Sequence, residues 1–357
     1  MGVYAGLNST GASNVLVGYK AGFAIGATTS TVLIGSEAAA ASLTTDANGT
    51  VAIGNQALKV LTSGIGNTAI GYQTLVAEDD GDYNTAVGYQ ALTAFTTGQR
   101  NTAIGKGSLD SLTTGDQNTA LGRSSLPALT TGDNNVGLGM DAGLLTTEGN
   151  HNIYIGTEAG AYNTTGDELI LIGYRAGYAI NHASDADGTV AIGYEAAHDL
   201  TSGGYNVLIG YQAGDKITDA HSNVGIGYGV LGALQGGSTP AGDYIAIGIQ
   251  AGGNLSGAQY GRCIAIGSYA LNYGFAAQYS VAIGYQALHY ATGSDNIGIG
   301  QWAGRGMGQN TAPYASGHRN ISVGSSTNYT LSTGGDNIGI GHNANYAVSY
   351  THLTLPT

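Results

Sequence analysis

Cysteine and proline are scarce in this sequence: Cys263 is the only cysteine, and there are four prolines in 357 residues. One cysteine cannot form an intrachain disulfide, so packing must hold the chain together. The few prolines, and glycines that do not fall at every third position, exclude a collagen helix. Cys263 directly precedes the motif Ile264-Ala265-Ile266-Gly267, and we expect it to be a small buried residue.

Charged residues are also few, at 9% of the chain, and acidic residues outnumber basic ones to give a formal net charge of −13. A phosphate-rich partner would need a basic surface, so the composition argues against binding to nucleic acid or to an anionic membrane. No apolar run reaches the length of a transmembrane helix, and no membrane insertion is expected in this segment.

Motifs for catalysis and cofactor binding are lacking as well. There is no His-Glu-x-x-His, no cysteine pair, no Gly-x-Ser-x-Gly and no P-loop. We therefore expect neither an enzyme nor a bound cofactor. Weak calcium candidates lie on two acidic turns, at Asp46, Asn48, Asp185 and Asp187, and in the acidic run at residues 78–82. None of the three supplies a full set of calcium ligands, so ordinary acidic turns are favoured and no metal site is predicted.

Glycine, in contrast, is abundant at 62 residues, and much of it is periodic. From Gly18 to Gly341, 19 glycines each follow a three-residue phrase such as Val-Ala-Ile or Thr-Ala-Ile, and most are 17 residues apart. Such a period is typical of solenoids, in which each unit packs only on its neighbours. We expect an all-β fold, a left-handed parallel β-solenoid of β-roll or β-helix type with about 19 coils, forming a single domain over residues 1–347.

The three residues before each repeat glycine suggest which way the strand faces. The first and third are Val, Ile, Leu or Thr and are predicted to point inward, because side chains alternate along a strand. The central residue is then predicted to point outward, and it is small or apolar and never charged. These central residues form the predicted oligomer stripe: Ala52, Ala69, Ala86, Ala103, Ala120, Gly137, Ala191, Gly225, Ala246, Ala265 and Ala282. Monomers seldom expose such a stripe, so it predicts a homotrimer. In the alternative, small residues there only permit a narrow coil in a single chain.

The rest of each repeat is predicted to form a second short strand and a return loop of the type Thr-Thr-Gly-Asp-x-Asn. Asparagine recurs four residues before the glycine, and stacked amides one coil apart can form a hydrogen-bonded ladder. The predicted ladder comprises Asn67, Asn84, Asn101, Asn118, Asn135 and Asn152. Tyrosine follows the glycine in eight coils, where it could stack as a structural ladder, the favoured interpretation, or offer aromatic faces to sugars.

Both ends of the sequence suggest a segment of a longer protein. Residues 2–6 already match the interior of a repeat. After Ala347 the repeat stops, and residues 348–357 resemble the in-frame translation of a sequencing adapter, with a short natural tail as the alternative. We expect residues 348–357 to be a non-native tail.

The phrase Asn-Thr-Ala-Ile-Gly-Tyr-Gln-Ala-Leu, with its closest copies at residues 67–75 and 84–92, resembles repeats found upstream of an endosialidase-type chaperone in phage tail fibres. The phrase Val-Ala-Ile-Gly at Val51, Val190 and Val281 is similar to the head repeats of trimeric autotransporter adhesins, which use a shorter coil. The resemblance implies an extracellular location on a virion or cell surface. It also implies a homotrimeric shaft or adhesive segment whose loops meet a host glycan or protein.

Two other functions remain open. A polysaccharide-active solenoid enzyme would need paired carboxylates on neighbouring coils, and the strand positions show none. An ice-binding solenoid would need an outward threonine array. Threonines do recur at one strand position, but they are predicted inward: Thr68, Thr85, Thr102 and Thr119.

Overall fold

The computed structural model describes residues 2–44, 47–181, 186–234, 242–255, 261–274, 277–306, 316–330 and 333–345. The chain is an all-β parallel solenoid with turns of about 17 residues, and its 19 strands each span three residues and end directly before a repeat glycine. Over these ranges, no helix has the length and apolar character needed to cross a membrane.

Two compact units divide the chain, Met1–Leu169 and Ile170–Thr357. In the first unit each strand pairs in parallel with the next, and equivalent residues face each other, as Ala86, Ala103 and Ala120 do. Its strands are β1 (Val15–Val17), β2 (Val32–Ile34), β3 (Val51–Ile53), β4 (Thr68–Ile70), β5 (Thr85–Val87), β6 (Thr102–Ile104), β7 (Thr119–Leu121), β8 (Val136–Leu138) and β9 (Ile153–Ile155).

The second unit repeats this arrangement, and the register is kept where the intervening segment is longer than usual, as between Gly225 and Ala246. Its strands are β10 (Ile170–Ile172), β11 (Val190–Ile192), β12 (Val207–Ile209), β13 (Val224–Ile226), β14 (Ile245–Ile247), β15 (Ile264–Ile266), β16 (Val281–Ile283), β17 (Ile297–Ile299), β18 (Ile321–Val323) and β19 (Ile338–Ile340). Extra residues are therefore accommodated between strands.

The repeat glycines form a stacked row whose backbone disfavours any larger residue. Their φ angles lie between 116° and 144°, a region that residues with a Cβ rarely adopt. A Cβ added to Gly105 would also lie 2.2 Å from the carbonyl oxygen of Gly122 in the next coil. The invariance of glycine at this position thus has a conformational and a steric cause.

The segment after each glycine forms consecutive turns, so the prediction of a second short strand is wrong. The second and fourth residues after the glycine adopt left-handed conformations, for example Gln73 with φ 52° and Leu75 with φ 49°. Their amides donate to neighbouring coils instead, Gln73 N to Asn55 O at 3.0 Å and Leu75 N to Ala91 O at 3.1 Å. Hydrogen bonds between coils thus continue through a region without strands.

The interior is filled by matched pairs of side chains. Where the central strand residue is small, the fourth residue after the glycine is often large, as in Ala103 with Leu109. Where the central residue is Leu171, the fourth position is Gly177, at which an added Cβ would lie 2.7 Å from Leu171 Cδ1. The seventh position supplies a further row of buried side chains, such as Phe95. A large side chain at one position is therefore matched by a small one at the other, so that together they fill the cross-section of the coil, in keeping with close packing.

Candidate functional site

The central strand residues point into the solenoid, so the predicted orientation of the oligomer stripe is wrong. Most of them are fully buried within the single chain, and the rest are no more than 2% exposed or are buried glycines. This applies to Ala52, Ala69, Ala86, Ala103, Ala120, Gly137, Ala191, Gly225, Ala246, Ala265 and Ala282.

The physical reason is the narrowness of the coil. Buried side chains from the fourth and seventh positions after the glycine, such as Leu109 and Leu112, fill the interior of the coil to which Ala103 belongs. Only one strand residue per coil can therefore point inward, and it is usually small where these neighbours are large. The two larger flanking residues of each strand must face outward.

The flanking residues consequently form the exposed strand face, which we define as the first and third residues of every strand. Thr102 is partly exposed and Ile104 is 38% exposed, and Leu121 in the next coil is 43% exposed. Apart from four threonines, every residue on this face is Val, Ile or Leu. Three residues at about 3.3 Å and nine strands at about 4.8 Å give the first unit a largely apolar rectangle of about 430 Å². An apolar patch of this size is often functional.

Threonine occurs on this face in one short block. Thr68, Thr85, Thr102 and Thr119 occupy the first position of four successive strands and pair in register. Their side chains are partly or largely exposed, so the prediction that these threonines point inward is wrong. The third position of the same strands is aliphatic, which leaves one threonine row beside one aliphatic row.

The asparagines lie at the turn before the strand and are fully buried. Asn118 N donates to Asn101 Oδ1 at 2.9 Å, and Asn118 Oδ1 accepts from Asn135 N at 2.9 Å. Asn118 Nδ2 donates to the carbonyl of Gly132 at 2.8 Å. The same bond, from a backbone N–H to the side-chain Oδ1 of the asparagine one coil earlier, links the row Asn67, Asn84, Asn101, Asn118, Asn135 and Asn152. The row satisfies buried backbone groups that the turn would otherwise leave without partners.

Cys263 occupies the asparagine position of its coil. It is 1% exposed, and its Sγ lies 3.4 Å from Gly261 O and 3.6 Å from Ala277 O. Burial raises the pKa of the thiol to about 11. The thiol is therefore protonated at neutral pH and takes a structural place in the row.

Tyrosines after the glycine stack along the second unit. Tyr174, Tyr194, Tyr211 and Tyr228 follow one another with ring centroids 5.2, 5.0 and 5.3 Å apart and interplanar angles of 20° or less. Rings in such a stack cover the faces of their neighbours. At the first ring, the guanidinium of Arg175 lies 5.1 Å from the centroid of Tyr174. Ile249 follows the next glycine, so Tyr228 ends the tyrosine stack.

A row of polar side chains runs beside the tyrosines in the first unit. Gln56 Nε2 donates to Glu37 Oε2 at 2.9 Å, Gln73 Nε2 to Gln56 Oε1 at 2.9 Å, and Gln90 Nε2 to Gln73 Oε1 at 3.2 Å. The second position after the glycine thus supplies a glutamine row wherever consecutive coils carry a suitable residue.

Glu78, the first residue of the acidic run at residues 78–82, is a carboxylic acid in the interior. It takes the seventh position after Gly71, where neighbouring coils place Leu61 and Phe95, and it is fully buried. Its Oε1 accepts weakly from Asn84 Nδ2 at 3.5 Å, while Oε2 has no hydrogen-bond partner in the described part of the chain. Burial, with smaller contributions from Asp80 and Asp82, raises the pKa of Glu78 to about 9. Glu78 is therefore protonated at neutral pH.

Tyr154 is the largest central strand residue, and its hydroxyl has partners. Asn163 Nδ2 donates to Tyr154 Oη at 2.5 Å, and Thr146 Oγ1 lies 3.4 Å from the same atom. Both partners occupy the seventh position, which is apolar in most coils. Gly143 leaves room for the ring, because an added Cβ there would lie 2.7 Å from Tyr154 Cδ2.

Replacing Tyr154 with phenylalanine is expected to lower the free energy of unfolding by about 1 kcal/mol, since Asn163 loses a buried acceptor. Tyr244→Phe is the matched control, because the buried hydroxyl of Tyr244 has no hydrogen-bond partner among the described residues. It should leave stability unchanged or slightly higher. Chemical denaturation of the two variants gives the comparison, and equal effects would contradict it.

The calcium candidates are placed only in part. Asp46 and Asp185 lie outside the described residues. Asn48 uses its Oδ1 to accept from Thr29 N at 2.7 Å and Thr29 Oγ1 at 3.1 Å, and Asp187 accepts from Tyr205 N through its backbone oxygen at 2.9 Å. In the described ranges no group of three His, Cys, Asp or Glu side chains is arranged to hold a metal ion.

No protein-family model matches the chain, and no curated protein is significantly similar to it in sequence. The function must therefore be inferred from the features of the molecule itself. The largest of these is the exposed strand face.

Proposed function

We propose that this chain is a structural shaft or adhesive segment of an extracellular fibre, on a virion or a cell surface, in which three copies of the chain associate. The exposed strand face carries the proposal: two rows of Val, Ile, Leu and Thr that lie side by side in register and include no charged residue. Burial of such a face releases water from apolar surface and stabilises association.

A second copy of the chain fits this face better than an unrelated partner. The face repeats once per coil, about every 4.8 Å, and a partner must match that period to bury it coil after coil. Another copy has the same period because its sequence is identical, and identical chains usually assemble into oligomers with closed symmetry. The number three follows from the resemblance to trimeric fibre repeats.

The extracellular role rests on the same resemblance and on the surface composition. The resemblance points to a host glycan or protein as the external partner. The formal charge of −13 favours solubility of a glycine-rich array and disfavours nucleic acid. Hydrogen bonds continue from coil to coil through strands, turns and asparagine side chains, which suits a stiff mechanical element.

Sedimentation of the full chain tests the association. The double variant Ile104→Lys/Ile283→Lys places one charge on the exposed strand face of each unit, and we expect it to sediment as a monomer while the native chain sediments as a trimer. The control Tyr83→Lys/Tyr205→Lys introduces the same charges outside the exposed strand face, at tyrosines two residues before β5 and β12 that are 53% and 73% exposed, and should remain trimeric. A native chain that sediments as a monomer would refute the proposal.

Ice binding is a second candidate, because the threonines that were predicted to point inward face outward. The row of Thr68, Thr85, Thr102 and Thr119 faces outward in register. The row covers only four of the 19 strands, and the adjacent row is aliphatic. Thermal hysteresis of the purified chain would favour this candidate over the fibre, and its absence would remove it.

A further inference from the structure

The second unit contains a polar cleft of about 240 Å³ at the end of the tyrosine stack. We call it the glycine cleft, since Gly229, Gly232 and Gly253 lie along it. It differs from the exposed strand face in two ways. It lies on the segments that follow the repeat glycines, and its walls are polar.

The cleft exists because side chains are missing from two rows. Gln212 and Gln250 occupy the second position after their repeat glycines, but the coil between them has Gly229 there. At the fifth position, Asp215 is followed by Gly232 and Gly253 in the next two coils. The glutamine row thus lacks one side chain, and the fifth-position row lacks two in successive coils.

The walls of the glycine cleft carry groups that both donate and accept hydrogen bonds. Gln250 makes no side-chain hydrogen bond with the described residues, so both ends of its amide are available to a ligand. Asn254 and Asn272 stiffen one wall: Asn254 Nδ2 donates to Asn272 Oδ1 at 3.1 Å, and Asn272 Nδ2 donates to Gln250 O at 2.7 Å. Asn272 is 1% exposed and holds the backbone of Gln250 in place.

The charges around the glycine cleft are mainly negative. Asp215 lines it, and Glu195 accepts from Gln212 Nε2 at 2.9 Å nearby. Lys216 lies 3.8 Å from Asp215 and is bonded more closely to Asp199, at 3.1 Å. A ligand with a carboxylate or phosphate would therefore meet net repulsion.

Tyr228 adds an aromatic surface to these polar walls. It lines the glycine cleft and is 51% exposed, and Ile249 takes the equivalent position in the next coil. A ring with an apolar face beside amide groups suits a ligand that has both C–H surfaces and hydroxyl groups.

We propose that the glycine cleft binds one residue of a neutral saccharide, with its hydroxyl groups on Gln250, Asn254 and Asp215 and its ring beside Tyr228. This proposal names the class of glycan that an adhesive segment would select. The biological role of the site therefore rests on the proposed function. Sialic and uronic acids are excluded by the carboxylates around the cleft.

Gly229→Gln tests the proposal, since it restores the missing glutamine. The backbone already suits that residue: Gly229 has φ 56°, and Gln212 and Gln250 have φ 51° and 49° at the same position. An added Cβ would lie 3.5 Å from Gln250 Cγ, an ordinary contact, so the variant should fold. The control Gly107→Gln makes the same change at the same repeat position in the first unit, where φ is 62° and the nearest atom is 3.9 Å away.

Saccharide binding to the full chain is measured by ligand-observed NMR with methyl glycosides of glucose, galactose and mannose, and with N-acetylneuraminic acid. We expect at least one neutral glycoside to bind the native chain and the Gly107→Gln variant, and Gly229→Gln to lose affinity by about tenfold or more. Absence of binding by every neutral glycoside, equal binding by Gly229→Gln, or preference for N-acetylneuraminic acid would overturn the proposal.

Sedimentation separates this proposal from the fibre proposal. A trimer that binds no saccharide would leave the fibre intact and refute only the saccharide site. A monomer that binds a neutral glycoside in the glycine cleft would retain the site and refute the trimeric shaft.

Discussion

Gly105→Ala lowers the free energy of unfolding by about 3 kcal/mol or more. Two causes act together. The backbone at Gly105 has φ 141°, where a Cβ is strained, and the added carbon would lie 2.2 Å from the carbonyl oxygen of Gly122. That oxygen belongs to the backbone of the next coil and cannot move without disturbing the strand pairing of β6 with β7.

Gly341→Ala is the matched control for this substitution. Gly341 occupies the same repeat position with φ 116°, but no described atom lies within 4 Å of an added Cβ. It carries the conformational strain without the overlap, and we expect a loss of about 1 kcal/mol. Chemical denaturation measures both variants. Equal losses would show that backbone strain alone, without the close approach of the next coil's carbonyl oxygen, explains why this position is glycine.

Glu78→Leu is expected to stabilise the chain, by about 3 kcal/mol at neutral pH. Because the folded-state pKa of Glu78 is about 9 against an ordinary value of 4.5, the unfolded chain releases a proton that the folded chain keeps. Stability therefore falls as the pH rises from 4.5 to about 9, and levels off above that. Leucine at this position matches Leu61 one coil away and removes the titration.

Glu78→Gln separates ionisation from packing. Both variants should lose the decline in stability between pH 4.5 and about pH 9 that Glu78 causes. Glutamine keeps a polar group in the apolar row, so the Glu78→Gln variant should be less stable than the Glu78→Leu variant at every pH. Denaturation curves collected across that range provide the measurement. A native chain whose stability declines no more steeply than that of either variant would contradict the assignment of a protonated carboxyl.

Much of the fold could be predicted from the period of the sequence. Repeat glycines with a β-branched phrase before them placed the 19 strands, because a solenoid must return to the same point in every coil. The side that each strand presents could not be predicted from alternation alone. Alternation says that Ala103 and its neighbours face opposite ways, but which way depends on what else fills the coil, here Leu109 and Leu112.

The candidate sites were predictable to different degrees. The asparagine row was visible because one residue type recurs at one position. The exposed strand face was misplaced onto the central residues for the reason just given. The glycine cleft was missed because it is defined by absent side chains, although Gly229 between Gln212 and Gln250 is a signal that alignment of the coils could have revealed. Glu78 stood out by the same alignment, as an acid between Leu61 and Phe95.

The matched pairs inside the coil imply a rule for how such arrays can diverge. The central strand residue and its partner beyond the glycine are six residues apart, as Ala103 and Leu109 or Leu171 and Gly177 show. A change at one member alone leaves a void or an overlap, whereas a joint exchange preserves the volume. Related arrays should therefore show correlated substitutions at a separation of six, and a coil grafted from one array into another should be tolerated when both members travel together.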